Sequence, residues 1–301
     1  MDVTERSVQE IGKSLLITLP KPWANAMRVT RGTKLKIITD ERGNLLIAPE
    51  FIAKEELHEA SIHYDEHIRR HFFREYFGGN TRITIRFGKR PPERDLQSLY
   101  TFLRRFMNAQ VIEEARDRIV VKCFRIDDLT IEECLQRVHF LFLSMLDETI
   151  AGADILRLQE MEESLSRFYY MLVMQIRRFL SEGKFTQQNQ ISLIRALDIR
   201  MVAERIERMA DIMLKIARPL DLETMHLLGR VREYYGRSFG SFFEQRYDRA
   251  STLMAEERAE RAAGETLRTK AMARKDIPLY DRTNAVLQLF AYAKEISMLV
   301  R

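Results

Sequence analysis

Cysteine is nearly missing from these 301 residues: Cys123 and Cys134 are the whole complement, and no C-x-x-C spacing occurs. That excludes a disulfide framework or a zinc knuckle as the organising device, and it fits a reducing, cytoplasmic setting. Long apolar runs are missing as well. The longest strongly apolar stretch, residues 138–146, is far shorter than the roughly 20 residues that a membrane span needs. No membrane insertion is expected. Residues 1–11 are polar and charged and lack the apolar core of a secretion signal. Signatures of catalysis are absent too. There is no glycine-rich phosphate loop, no nucleophile elbow and no convincing Cys–His pairing, so an enzyme is not expected.

What is present is a globular composition, 46% hydrophobic and 31% charged, in a chain long enough for two or three domains with a substantial core. A net charge of +5 permits nucleic-acid binding without requiring it. The first fifty residues read as four short strands, at 6–10, 14–19, 34–39 and 44–48, punctuated by Gly12, Pro20, Pro22 and Gly32. Residues 40–44 make a hairpin loop in which Gly43 supplies the positive φ that the turn requires. Residues 21–28 suit one or two helical turns, with Pro22 near the start. The pattern from 55 to 77 is helical and ends at Gly78-Gly79. Alternation marks 81–87 as a strand. A helix opened by Pro91-Pro92 runs to about 107, and strands follow at 110–113 and 118–124.

Residues 51–127 therefore read as a small α+β module behind a head of residues 1–50. Six helices fill the rest, at about 130–151, 154–180, 187–217, 222–245, 248–274 and 277–301. Thr130 caps the first, with Glu133 at the capping-box position. Two successive sets of three, residues 128–218 and 219–301, suggest a duplicated three-helix bundle. The fold class is mainly α with an N-terminal β-domain.

Three groupings carry candidate chemistry. Arg6, Lys13, Lys21, Arg28, Arg31, Lys34 and Lys36 crowd cations into the head, which suits phosphate contacts with counterion release. Asp2, Glu5, Glu10, Asp40 and Glu41 make a solvated sheet face the competing account. On the third long helix, Glu207 and Asp211 are four residues apart and share a face. Such a pair costs an isolated helix roughly 0.2–0.5 kcal/mol, and its oxygens suit half of a site for a divalent or iron cation. An ion-pair network with Arg208 and Lys215 accounts for the same spacing. His63, His67 and His71, flanked by Glu59 and Glu75, form one stripe if helical, compatible with a transition metal. The apolar Leu57, Tyr64, Ile68, Phe72 and Tyr76 beside it make a core boundary the simpler reading. Arg86, Lys89, Arg90 and Arg94 gather near a helix start that could hold a phosphate, diluted by Glu93 and Asp95. Residues 249–275 mix both charges as a solvated helix does.

The order Arg6-Ser7-Val8, Gly12-Lys13-Ser14, Ile17-Thr18-Leu19-Pro20-Lys21, Gly32-Thr33-Lys34-Leu35 and Asn44-Leu45-Leu46-Ile47 resembles the AbrB/SpoVT swapped-hairpin family over residues 4–49. The resemblance implies a homodimer that exchanges hairpins and binds duplex DNA through a basic surface, with Arg6 and Lys13 at motif positions. The family often has adjacent basic residues where Ala24-Asn25 stands here, so Arg28 and Arg31 are added from charge and position alone.

Glu207-xxx-Asp211, together with Glu162-Glu163 and Arg167-Phe168-Tyr169-Tyr170, resembles PhoU, the phosphate-uptake regulator. In the second set of helices the acidic positions fall on Phe290 and Lys294, so that repeat is degenerate. The combination of both domains is an archaeal arrangement. It implies a dimeric DNA-binding regulator of phosphate uptake with a PhoU-like sensing body. The alternative is an adaptor that regulates a phosphate transporter or a sensor kinase by protein contact, its hairpins serving dimerisation only.

Overall fold

Tight turns dominate the head. In the computed structural model, which describes residues 4–39, 43, 45–49, 58–124, 126, 128–182, 191–216 and 219–300, the chain divides into two units, Met1–Glu56 and Leu57–Arg301. In the first, β1 (Gln9–Ile11) and β2 (Ser14–Leu16) pair antiparallel with Gln9 opposite Leu16. Gly12, at φ +65°, makes the two-residue turn possible. The short helix α1 (Lys21–Ala26) has Pro22 in its first turn, where the missing N–H costs nothing. Strands β3 (Leu35–Thr39) and β4 (Leu45–Pro49) form a second hairpin with Ile37 opposite Ile47. The hairpins are separate two-stranded sheets. Among the residues of this unit whose side chains are described, which leaves out 38, 46 and 48, none is buried.

The second unit starts with a departure from the sequence reading. The helix expected over 55–77 is instead a strand, β5 (Glu59–His63), then α2 (Ile68–Phe77); residues 55–57 lie outside the described residues. Ile62 is buried between exposed Ser61 and His63, an alternation of period two. The Asp65 carboxylate then accepts the His67 N–H at 2.8 Å and turns the chain. Next come β6 (Arg82–Arg86), α3 (Glu93–Leu103), β7 (Ala109–Glu114) and β8 (Arg118–Cys123). The sheet order is β5-β6-β8-β7, parallel in the first pair and antiparallel in the others. Ile83, Ile85, Ile119 and Val121 from the sheet share a core with Phe72, Tyr76 and Phe102 from the helices.

Six long helices follow: α4 (Ile131–Ile150), α5 (Ile155–Glu182), α6 (Leu193–Lys215), α7 (Leu222–Phe243), α8 (Tyr247–Ala273) and α9 (Ile277–Ser297). The capping box at the start of α4 forms in both directions, with the Glu133 N–H donating to Thr130 Oγ1 and the Thr130 N–H to Glu133 Oε2. Ser192, Asp221 and Asp276 cap α6, α7 and α9 through the same kind of side-chain bond. Helices α4, α5 and α6 pack on one another, as do α7, α8 and α9, and the two trios meet along α4–α7 and α6–α9. Helix α5 also reaches the sheet module. Tyr170 stacks on Phe106 at 5.4 Å, and Arg177 Nε donates to the Phe77 carbonyl, at the end of α2, at 2.8 Å. Among the described residues no helix is long and apolar enough to cross a membrane.

Candidate nucleic-acid interface and acidic cluster

The four basic residues expected to meet DNA occupy three places in the head. Arg6 lies before β1, and Lys13 sits at the tip of the first hairpin beside Gly12. Arg28 and Arg31 lie together in the segment between α1 and β3. Arg28 follows the helix in the left-handed region at φ 50°, an uncommon conformation for a residue with a Cβ. The Thr30 N–H, bonded to Thr33 Oγ1 at 2.9 Å, and the Thr33 N–H, bonded to the Thr30 carbonyl at 3.0 Å, close the following turn. All four are exposed. Arg6 donates to the Glu5 carbonyl at 3.2 Å; among the described residues none of the four pairs with a carboxylate. Full hydration and free charge are what phosphate contacts with counterion release require. Val8, Ile11, Leu15 and Ile17 are exposed beside them.

Residues 8–51 match the family model described as antidote-toxin recognition MazE, bacterial antitoxin. The matched segment covers β1 to β4 and supports an AbrB-like N-terminal domain. No curated protein and no solved structure matches the chain.

The second site is in the body. Glu207 is half-buried on α6 and Asp211, one turn on, is exposed. From α5, Glu162 reaches the same region although it is only 8% accessible; it accepts from Ser166 Oγ, four residues on. Arg105, just beyond α3, donates to Glu162 at 3.4 Å and lies over the Tyr170 ring. Burial, then the negative charges of Asp211 and Glu162, push the Glu207 carboxyl up to about 7, against the pull of Arg208 and Arg105. Neither Arg208 nor Lys215 closes the pair: Arg208 binds Glu204 at 2.9 Å, and Asp211 forms no ion pair with described residues. The arrangement stores negative charge that a proton or a cation relieves. Among the described residues no group of three or more His, Cys, Asp or Glu is placed to hold a metal ion. Glu207 and Asp211 are two neighbouring carboxylates that, among the described residues, belong to no such group. In the second trio the corresponding Phe290 is fully buried and Lys294 pairs with Glu257 at 3.5 Å.

Two other groupings come apart. His63 ends β5, His67 precedes α2 and His71 lies within it, so there is no single helical stripe; His71 Nε2 is 3.2 Å from Asp65 Oδ2. At the start of α3 the first turn carries Glu93 and Asp95, which repel an anion there. Arg90 is held by Glu114 at 2.6 Å and Arg86 by Ser61 at 3.0 Å. Both cysteines are free and buried, and burial pushes each thiol up to about 12, which leaves them unreactive.

The residues that sequence reasoning missed are Glu162 as a partner of Glu207, and Arg105. Glu162 was visible only as part of a family-like run, and nothing local marks Arg105, which sits 57 positions before its partner.

Proposed function

We propose that the chain is a dimeric DNA-binding transcriptional regulator of phosphate uptake, its head binding duplex DNA and its helical body sensing phosphate status. One observation carries the DNA-binding part: a head in which no residue whose side chain is described is buried and which holds exposed apolar strands beside four unpaired cations. A partner would cover those apolar side chains, each contributing about 1.5–3 kcal/mol when fully buried. A second copy supplies that cover, and doubles the cations with two-fold symmetry, which suits a duplex. The match over 8–51 is compatible with this and with antitoxin-type regulation. The phosphate role rests on the likeness of Glu207-xxx-Asp211 and of the 162–170 run to PhoU.

The test is binding of the full chain to duplex DNA across salt concentrations. With Arg6→Glu and Lys13→Glu together, affinity for duplex DNA should collapse while sedimentation still reports a dimer. With Lys13→Ala alone, two contacts per dimer are lost, so the slope of log affinity against log salt should flatten by about 2. Wild-type protein with no salt-dependent affinity for DNA sinks the reading. A second reading, an adaptor for a transporter or sensor kinase, is favoured by a row on α6. Leu193, Leu197 and Met201 are 46%, 50% and 41% exposed at four-residue spacing. In that case the charge reversals leave partner capture and dimerisation untouched.

A further inference from the structure

We infer that the cleft between the end of α3, the start of β7 and helix α5 is a binding site for a small organic anion. The cleft encloses about 460 Å³, within the range of small-molecule sites. Tyr100, Met107 and Val111 line it as apolar wall, and Gln110 adds a polar group at its edge. Arg104 and Arg167 line it as well.

In the same module Arg90 meets Glu114 and Arg118 meets Glu113, each at 2.6 Å. The side chains of Arg104, which is exposed, and of Arg167 make no hydrogen bond or ion pair with any described residue. Glu163 stands one helical turn before Arg167, the spacing at which such pairs form, and still does not engage it. Arg167 is half-buried and its Nε is fully shielded without a partner. A half-buried guanidinium left unpaired is costly, and the other Arg167 nitrogens, which are not shielded, can meet an acceptor that enters the cleft. Guanidinium favours planar or tetrahedral oxyanions, and the Tyr100, Met107 and Val111 wall favours an apolar body attached to the oxyanion. The ligand class is a phosphate- or carboxylate-bearing small molecule with a flat apolar part. This inference does not depend on DNA binding: the cleft belongs wholly to the second unit.

Calorimetric titration of the full-length protein with three probes tests it: adenosine monophosphate, benzoate and inorganic phosphate. Saturable binding of an organic probe is expected, weakened about tenfold or more by Arg167→Met, the loss of one charged hydrogen-bonding partner, and weakened likewise by Arg104→Met. Without probe, Arg167→Met should melt no lower than wild type, because it removes an unpaired shielded donor and keeps the stem. The proposal is overturned if neither organic probe binds saturably, or if binding survives both substitutions. It is equally overturned if inorganic phosphate binds as tightly as the organic probes, or if Arg167→Met melts several degrees lower, which would make the arginine a structural residue.

Discussion

Glu207 holds its proton to about pH 7 because α5 and α6 bring three carboxyl groups into one region while giving Glu207 no cation of its own. The consequence for stability has a definite sign. An unfolded glutamate releases its proton near 4.5, so between that pH and about 7 the folded protein binds more protons than the unfolded chain. Stability then falls as pH rises through this window and stays lower above it. Glu207→Gln removes the charge and keeps the shape. It should raise stability at pH 8 by on the order of 1–2 kcal/mol, discounted for partial solvent screening, and the gain should vanish by pH 4. Denaturant unfolding at both pH values checks this; a gain of equal size at the two would show that charge is not its source. A cation that bound the Glu207–Asp211 half-site would have to displace the same proton, so any affinity should rise with pH.

At the scale of elements, two helical glycines differ in whether a neighbouring helix fills the space beside them. On α8, a Cβ added to Gly264 would lie 2.8 Å from Leu287 Cδ2 and 3.3 Å from its Cγ, and Leu287 on α9 is only 3% accessible. On α7, a Cβ at Gly236 meets nothing within 4 Å. Gly236→Ala should therefore stabilise by about 0.5–1 kcal/mol through helix propensity alone. Gly264→Ala gains the same propensity but drives a methyl into a filled contact costing about 1–3 kcal/mol, so it should destabilise. Midpoints of urea unfolding decide the matter, and shifts of the same sign for both would refute it. No sequence pattern distinguishes these two glycines, since each sits inside a regular helix and only the neighbouring helix tells them apart.

The same limit governs what could be read of the fold. The long helices were legible because their signals are local: Thr130 and Glu133 cap each other across three residues. Ser192 and Asp221 cap over the same span but are not read from the sequence pattern, which starts the third helix at about 187. Strand β5 was not. Tyr64, Ile68, Phe72 and Tyr76 continue a helical spacing backward past its end, and its own alternation is only five residues long. What makes it a strand is its parallel ladder with β6, some twenty residues later. The candidate sites divide likewise. Glu207 and Asp211 are neighbours on one helix and were visible, whereas Glu162 and Arg105 join them through packing between distant segments.

The whole molecule joins two units of opposite character. The body carries a continuous buried core from Ile131 to Val300. The head has paired backbone, and none of its residues whose side chains are described is buried, so the proposed second copy would stabilise it in a concentration-dependent way by mass action. Hydrogen exchange on the full-length protein separates the two. On dilution by about a hundredfold across the dimer range, amides of 9–16 should lose protection while those of 199–213, deep in α6, keep theirs. Duplex DNA should restore protection to the head at the dilute end, because a ligand that binds only the paired form shifts the equilibrium toward it. Head amides that stay as protected as the body's at every concentration would mean that the exposed apolar strands are covered without a second copy. The dimeric reading of the DNA-binding surface would fall with them.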